Sequence, residues 1–337
     1  MDKFLLGCDW GTSTFRLGLY NITRGVLVHE IHSGDGISSI HRAWQNGHQP
    51  SAAAKDQMFR AQLSAQIKIL SGRAGFHLAN TPIVISGMAS SSIGMEAVAY
   101  ARLPFNMDGS QVIIRRFAAQ DNFPHEILLI SGVQSDDDAM RGEETQLIGI
   151  WSLLGDLGTR TKEAVVIFPG THSKHIYVKN DQILRFKTFM TGEIYQVVGN
   201  HSILKDAVMM VDNKPFSPAL AQAFTAGIKE AGQSSLLNAL FTVRTNDLFK
   251  KLNKTENAFY LSGLLIGNEL NDLVKEPGQP VFLCGGNNLH GLYRLALEAL
   301  DLAGRATFVP PGLVESAAIT GQRIIYEQYI NNKLLNE

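Results

Sequence analysis

The 337-residue chain carries 30 basic and 31 acidic side chains, a formal net charge of -1, so no broad field draws it to nucleic acid or an anionic membrane. A hydrophobic content of 45% is that of a soluble globular protein, and the length allows two domains with sizeable cores. The chain enters a strand directly after Met1-Asp2-Lys3 and holds no apolar run of membrane-spanning length, so a cytoplasmic protein is expected.

The first predicted element is a hairpin over Phe4–Asn21, FLLGCDWGTSTFRLGLYN. An apolar run beginning at Phe4 and a second from Phe15 to Tyr20 flank the turn Gly11-Thr12-Ser13-Thr14. Such a turn points backbone N–H groups and hydroxyls into one concavity, and Gly11 lets a bound anion approach the backbone. Asp9 ends the first strand, where a carboxylate can hold Mg²⁺ beside phosphate oxygens. Taken alone, the stretch also fits an ordinary hairpin with a surface aspartate.

Residues 31–50, rich in Gly, Ser, His and Asn, read as a loop with solvent-facing histidines. Asp56 is the expected N-cap of a helix that buries Phe59, Leu63, Ile67 and Leu70 and stops at Gly72. Pro82–Ile85 is a short buried strand opening into Ser86-Gly87-Met88-Ala89-Ser90-Ser91, at the kind of strand end where open α/β sheets place ligands. After a strand at Ile127–Ser131 and the acidic Asp136–Asp138, Leu147, Ile148 and Trp151 have helical spacing. That puts Glu143 and Glu144 in a first turn with Arg141 just ahead. The helix dipole favours acids there in any protein. Either glutamate can also serve as the general base of a phosphoryl transfer.

Ala164–Asn180, AVVIFPGTHSKHIYVKN, repeats the first layout. Gly11-Thr12 falls on Gly170-Thr171, Leu17 on Ile176 and Asn21 on Asn180 at one offset, which points to an internal duplication. The positions ahead of the second turn are Phe168 and Pro169, neither of them acidic, so any second acidic group comes from elsewhere. Two such hairpins joined by a helical connection resemble the actin, sugar kinase and Hsp70 superfamily. That resemblance implies an α/β fold of two related RNase H-like domains with ATP in the cleft between them. The expected division is 1–140 and 141–337, the last helix being a candidate to return to the first domain. His172, Ser173 and Lys174 extend the second turn, His172 and Lys174 as donors to phosphate oxygens.

Beyond it come a strand at Ile183–Phe189, a helix from Met190-Thr191-Gly192-Glu193 towards His201, and helical patterns at Phe216–Ala231, Leu236–Phe241 and Phe259–Leu273. The strand Val281–Cys284 ends in Gly285-Gly286-Asn287, whose paired glycines let a flat ring approach the backbone, and the adenosine is placed there. A strand at Thr307–Val309 and a closing helix at Val314–Tyr329 complete the chain. Cys8 and Cys284, each in an apolar strand beside a glycine turn, read as buried thiols of a reducing compartment.

P-loop, dinucleotide-binding, zincin and nucleophile-elbow motifs are absent from the sequence. The strings DWGTSTFR at Asp9, SGMASS at Ser86, MRGEETQLIG at Met140, PGTHSKHI at Pro169, MTGEIYQ at Met190, NHSIL at Asn200 and LSGLLIGNEL at Leu261 together resemble the 2-dehydro-3-deoxygalactonokinase family over nearly the whole chain. The resemblance implies transfer of the ATP γ-phosphoryl group to the C6 hydroxyl of 2-dehydro-3-deoxy-D-galactonate, with Mg²⁺ on the nucleotide. It puts Asp9 at the metal and phosphates, and Gly11, Thr12, Gly170 and Thr171 in the phosphate turns with Ser13 and Thr14. The related exopolyphosphatases have a catalytic second member in their Glu-Glu pair, which falls on Glu144, with Glu143 its rival. Gly87, Met88 and Ser90 correspond to a substrate loop of xylulose-type kinases, and Arg16 and Arg141 are candidates for the substrate carboxylate. The expected partners are a small sugar acid and ATP, with the chain a monomer or homodimer. The alternative functions are an exopolyphosphatase-like hydrolase and a non-catalytic nucleotide- or sugar-binding protein of the same fold.

Overall fold

The structure of the protein, a computed structural model, describes residues 2–47, 51–211, 216–276 and 278–336. Contacts divide the chain into two compact units. Unit 1 holds Met1–Arg160, Asp181–Leu184 and Glu315–Glu337; unit 2 holds Thr161–Asn180 and Arg185–Val314.

In unit 1, β1 (Phe4–Trp10), β2 (Phe15–Asn21) and β3 (Val26–Ser33) form an antiparallel meander, followed by α1 (Ile37–Gln45) and α2 (Ala52–Ala74). Then come β4 (Ile83–Gly87), the short β5 (Ala101–Arg102) and β6 (Phe105–Asn106), β7 (Ile114–Phe117), β8 (Ile127–Ile130), the short β9 (Val133–Gln134) and β10 (Ala139–Met140), and α3 (Glu143–Asp156). The main sheet runs β3-β2-β1-β4-β8-β7, with β1, β4 and β8 parallel. Its core gathers Trp10, Phe15, Phe59 and Leu63, the Trp10 indole meeting Phe15 and Phe59 edge-on.

Two readings of this region are corrected. Residues 31–33 belong to β3, and 37–45 form α1, because Ile37 and Ile40 supply a buried face. The turn-forming composition hid that short amphipathic helix. His48–Pro50 lie outside the described residues, and His41 stacks half-buried near Trp44. The cap of α2 is Ser51, whose hydroxyl accepts from Ala54 N at 3.1 Å, and the helix ends at Gly75 with φ 76°. Asp56 lies inside it, paired with Arg60 one turn on at 2.7 Å. The helix therefore starts a turn earlier than the apolar periodicity does. Phe59, Leu63, Ile67 and Leu70 are buried as read.

Unit 2 repeats the plan. After β11 (Glu163–Phe168), β12 (Ser173–Lys179) and β13 (Gln182–Phe189, which belongs to this unit from Arg185 on) come α4 (Thr191–His201), α5 (Pro218–Ala231), α6 (Leu236–Leu248) and α7 (Lys254–Lys275). The unit continues through β14 (Val281–Leu283), α8 (Asn287–Ala299) and β15 (Ala306–Phe308) to the start of α9 (Pro311–Asn336). Its strands run β15-β14-β11-β12-β13, β11 parallel to β14 and β14 to β15. In both sheets the first three strands lie in the order 3-2-1 and two further strands follow parallel to the first, β4 and β8 in unit 1 and β14 and β15 in unit 2, so the duplication read from two hairpins extends to five strands. The offset itself slips. Asp9 pairs with Arg16, but Phe168 pairs with Lys174 and not with His175. The second turn is one residue shorter, and beyond it the match of Leu17 to Ile176 no longer holds: Lys174 takes the place of Arg16.

Close helix crossings knit each unit. A Cβ on Gly149 of α3 would fall 1.9 Å from Ala317 O of α9, and one on Gly321 would fall 1.9 Å from Thr145 O. Thus α3, which follows the boundary read near residue 140, packs in unit 1 against α9. In unit 2, Gly227 and Gly263 let α5 and α7 pack as closely: a Cβ on Gly227 would fall 2.1 Å from Tyr260 O, and one on Gly263 2.0 Å from Phe224 O.

Candidate active site

Unit 1 gathers the predicted acids, the first turn and the sugar loop. Asp9 sits at the end of β1, with Arg16 across the antiparallel pair and Ser86 across the parallel one. Two backbones without side chains flank its carboxylate. A Cβ on Gly87 (φ 85°) would lie 3.4 Å from Asp9 Oδ1, and one on Gly142 (φ 109°) would lie 4.0 Å from it. Both positive φ values suit glycine, and neither glycine puts a side chain against the carboxylate. Gln146 Nε2 donates to Asp9 Oδ2 at 3.4 Å. Burial raises the Asp9 pKa, opposed by Arg16 and the Gln146 hydrogen bond and reinforced by the charge of Glu143.

The two glutamates at the head of α3 separate by environment. Glu144 is 1% exposed. It accepts from Gly142 N with both oxygens, at 3.0 and 2.8 Å, and from Thr145 Oγ1 at 3.0 Å. Burial and the neighbouring Glu143 charge push it up to about 7, against the pull of those hydrogen bonds. Glu143 is half-buried and accepts from Arg141 N at 3.1 Å.

The first turn is open and backed by α1. Thr12, Ser13 and Thr14 are exposed. Gly11 N donates to Thr14 O at 2.9 Å, while Ile37 N and Ser38 N donate to Gly11 O and Thr12 O at 3.0 Å each. Within the sugar loop, Arg141 Nη1 donates to Ser90 Oγ at 2.6 Å and Nη2 to Val98 O at 3.3 Å. Its guanidinium lies 4.1 Å from the Tyr100 ring centre, and its buried Nε has no hydrogen-bond partner among the described residues. Ser90 is buried and Met88 half-buried. Arg16 turns away from this group: Nη1 donates to Glu315 O at 2.9 Å, and Nε lies 4.0 Å from Glu30. Tyr100 escaped the sequence reading, since nothing in a lone tyrosine signals an arginine far along the chain.

Unit 2 holds the remaining predicted residues. Gly170 is half-buried, and Thr171 and His172 are exposed. His172 pairs with Glu193. Lys174 is 4% exposed, its Nζ donating to His172 O at 3.4 Å. Ser173 is buried and donates to Glu269 at 2.7 Å, so its hydroxyl points beneath the turn. Gly192, from the MTGE string, packs on the turn: a Cβ there would lie 2.7 Å from Gly170 O and Thr171 Cα. Gly285 and Gly286 lead from β14 into α8, and Cys284 N donates to Ile167 O at 2.8 Å. The side chain of Asn287 lies outside the described residues. Glu269, the acid beneath this turn, was not singled out, because its place inside an apolar helical pattern gives no signal.

The duplicated topology, with a glycine turn at the tip of each unit's first hairpin and Asp9 at the end of β1, is that of the actin-like ATPase fold. Comparison narrows this. The family model of 2-keto-3-deoxy-galactonokinase matches residues 9–318. The Probable 2-dehydro-3-deoxygalactonokinase DgoK1 of Rhizobium meliloti (strain 1021) is 33% identical over 306 residues, covering 88% of this chain and 90% of that protein. The 2-dehydro-3-deoxygalactonokinase of Escherichia coli (strain K12) is 30% identical over 310 residues, with 89% and 91% covered. A crystal structure of a candidate 2-dehydro-3-deoxygalactonokinase from Sinorhizobium meliloti superposes with a TM-score of 0.75 at 27% identity, covering 96% of each chain. The chain belongs to the 2-keto-3-deoxy-galactonokinase family.

A kinase of this fold takes a nucleoside triphosphate with a divalent cation. Among the described residues no group of three or more His, Cys, Asp or Glu could hold a metal by itself. A single carboxylate suits a cation that keeps its waters and takes its other ligands from phosphate oxygens. Asp9, between Gly87 and Gly142, offers that donor. Among the described residues no helix is long and apolar enough to cross a membrane.

Proposed function

We propose that this chain is an ATP-dependent kinase that phosphorylates the C6 hydroxyl of 2-dehydro-3-deoxy-D-galactonate, giving 2-dehydro-3-deoxy-6-phosphogalactonate and ADP. The observation that carries the reading is the grouping at the head of α3. Asp9, Gly87 and Gly142 are in contact there, Glu143 is one residue on, and Arg141 bonds the sugar loop through Ser90, in a member of a sugar-acid kinase family.

In unit 1 the exposed turn Gly11–Thr14 offers backbone N–H groups and hydroxyls to phosphate oxygens. Asp9 would hold Mg²⁺, which when bound neutralises the developing charge on the phosphoryl oxygens. Glu143 is the better-placed base: it is the half-buried acid whose charge reaches Asp9. It takes the proton of the C6 hydroxyl as that oxygen attacks. Glu144 spends its oxygens on Gly142 N and Thr145 and so fixes the helix start. Arg141 holds the substrate carboxylate, its plane set by Tyr100 and its fork by Ser90 and Val98. In unit 2 the turn Gly170–Lys174 serves the phosphates and Gly285-Gly286 the adenosine.

The test is the product. The full chain is incubated with ATP, Mg²⁺ and 2-dehydro-3-deoxy-D-galactonate or its C4 epimer, and ³¹P and ¹H NMR locate the phosphate. A phosphate ester on the C6 methylene supports the reading. Free phosphate alone, or an ester on another hydroxyl, contradicts it.

A further inference from the structure

Beneath the second turn lies a buried carboxylate to which the proposed chemistry gives no part. Glu269, on α7, is 3% exposed. Its Oε1 accepts from Ser173 Oγ at 2.7 Å and from His175 Nε2 at 2.9 Å, and its Oε2 accepts from Tyr293 OH at 2.7 Å and from Thr191 Oγ1. Four donors thus converge on one carboxylate from the turn and β12, the head of α4, and α8. Burial alone would raise its pKa, but the hydrogen bonds from His175, Thr191 and Ser173 outweigh that and leave it lowered, so the carboxylate stays ionised. An ionised carboxylate only accepts, so His175 Nε2 carries the proton. The other ring nitrogen, Nδ1, is buried without a hydrogen-bond partner among the described residues, and the ring packs against Phe189.

Each donor belongs to a segment that borders the nucleotide half-site. Ser173 closes the turn Gly170–Ser173 and also reaches Phe168 O at 3.4 Å. Thr191 precedes Gly192, whose backbone lies against Gly170 and Thr171, and Glu193 N donates to Thr171 O at 3.0 Å. Tyr293 sits on the helix that begins beside Gly285-Gly286. Packing alone needs no charge here, since well-packed apolar residues usually stabilise a buried site as well. A carboxylate with every acceptor direction filled instead fixes the relative placement of its partners.

We propose that Glu269 is a positioning residue for nucleotide binding, joining the second phosphate turn, the head of α4 and the adenosine-side helix α8 in one binding-ready arrangement. This rests on the reading of unit 2 as a nucleotide-holding unit. Glu269 touches neither substrate nor reacting atoms.

The test uses the full-length chain, with ADP as the probe, in titration calorimetry, and the KM for ATP and for the sugar acid measured beside it. Glu269→Gln keeps the shape but turns an amide N–H₂ towards two of the donors. It is expected to weaken ADP binding ~10-fold or more, and Tyr293→Phe, which removes one donor, about 3-fold. The KM for ATP rises in step, while the KM for the sugar acid stays within about 2-fold, because the positioned groups belong to the nucleotide. A purely stabilising role would lower the melting temperature and leave the ADP affinity of the folded protein unchanged; that result overturns the proposal. Should Glu269→Gln fail to fold, Tyr293→Phe decides by the same comparison. If the wild-type chain binds no ADP, both this proposal and the kinase reading fall. If it binds ADP but phosphorylates no sugar acid, only the kinase reading falls, and the two affinities still decide the role of Glu269.

Discussion

Asp9 and the two glutamates at the head of α3 differ in what their oxygens are free to do. Among the described residues Asp9 takes one long hydrogen bond, from Gln146 at 3.4 Å, so Asp9→Asn leaves the packing intact and removes the charge. Its kcat is expected to fall at least ~10³-fold with a melting temperature no lower than that of wild type, because burial disfavours the charge that is removed; near-normal turnover would remove Asp9 from the mechanism. Glu143→Gln is expected to lower kcat ~10²-fold or more, the scale of a lost general base, and to do so more than Glu144→Gln in the same assay. The reverse order would transfer the role of base to Glu144.

Glu144 carries a separate prediction about stability. Its folded value of about 7 lies above the ordinary 4.5. Below about pH 4.5 it is protonated in both states. Between there and pH 7 only the unfolded chain releases the proton, so the folded state loses up to about 3 kcal/mol across that window. Glu144→Gln lacks this loss. In urea titrations its stability relative to wild type should improve from about pH 5 to about pH 8, whereas a pH-independent difference would contradict the burial argument.

At the scale of elements, the first turn is held from behind. Gly36, just ahead of α1, has no room for a side chain: a Cβ would lie 2.4 Å from Thr12 O and 2.5 Å from Ser13 Cα. Gly36→Ala must displace the turn or the helix, at ~1–3 kcal/mol by the usual scale of overpacking. We expect a raised KM for ATP and a lowered urea midpoint, measured on the same preparation; a change in stability alone would detach the helix from nucleotide binding. This support was invisible in the sequence, because residues 31–50 have turn-forming composition and the buried face of α1 shows only as Ile37 and Ile40. The turn it supports was legible, since a glycine and three hydroxyl residues between two apolar runs have little other use. Glu143 and Glu144 were likewise placed in a first turn from the spacing of Leu147, Ile148 and Trp151. Their division into an inward and an outward acid was not legible, because adjacent glutamates differ only once Gly142 turns at φ 109° and Glu144 folds back on it.

Across the whole molecule, two units repeat a five-strand order on different helical partners, and local pattern recovered the strands better than it recovered which segments pack together. The paired turns showed the repeat because each sets a Gly-Thr pair between two apolar runs, whereas the one-residue slip between Arg16 and Lys174 depends on hairpin pairing that residue identity does not encode. Similarly, α9 packs on α3 and β1 through Gly149, Gly321 and Gly7, contacts between segments far apart in the chain. The sugar loop and Arg141 meet through the same long-range folding, and Arg141→Lys should raise the KM for the sugar acid ~10-fold with little change for ATP, because lysine cannot keep both the fork and the Tyr100 stack. The most direct measurement is the rate of ADP release by the wild-type chain with ATP and Mg²⁺, compared with and without 2-dehydro-3-deoxy-D-galactonate. A kinase built to pass the phosphoryl group to a sugar hydroxyl should release ADP at least ~100-fold faster with the acceptor present. Equal rates in the two reactions would contradict it.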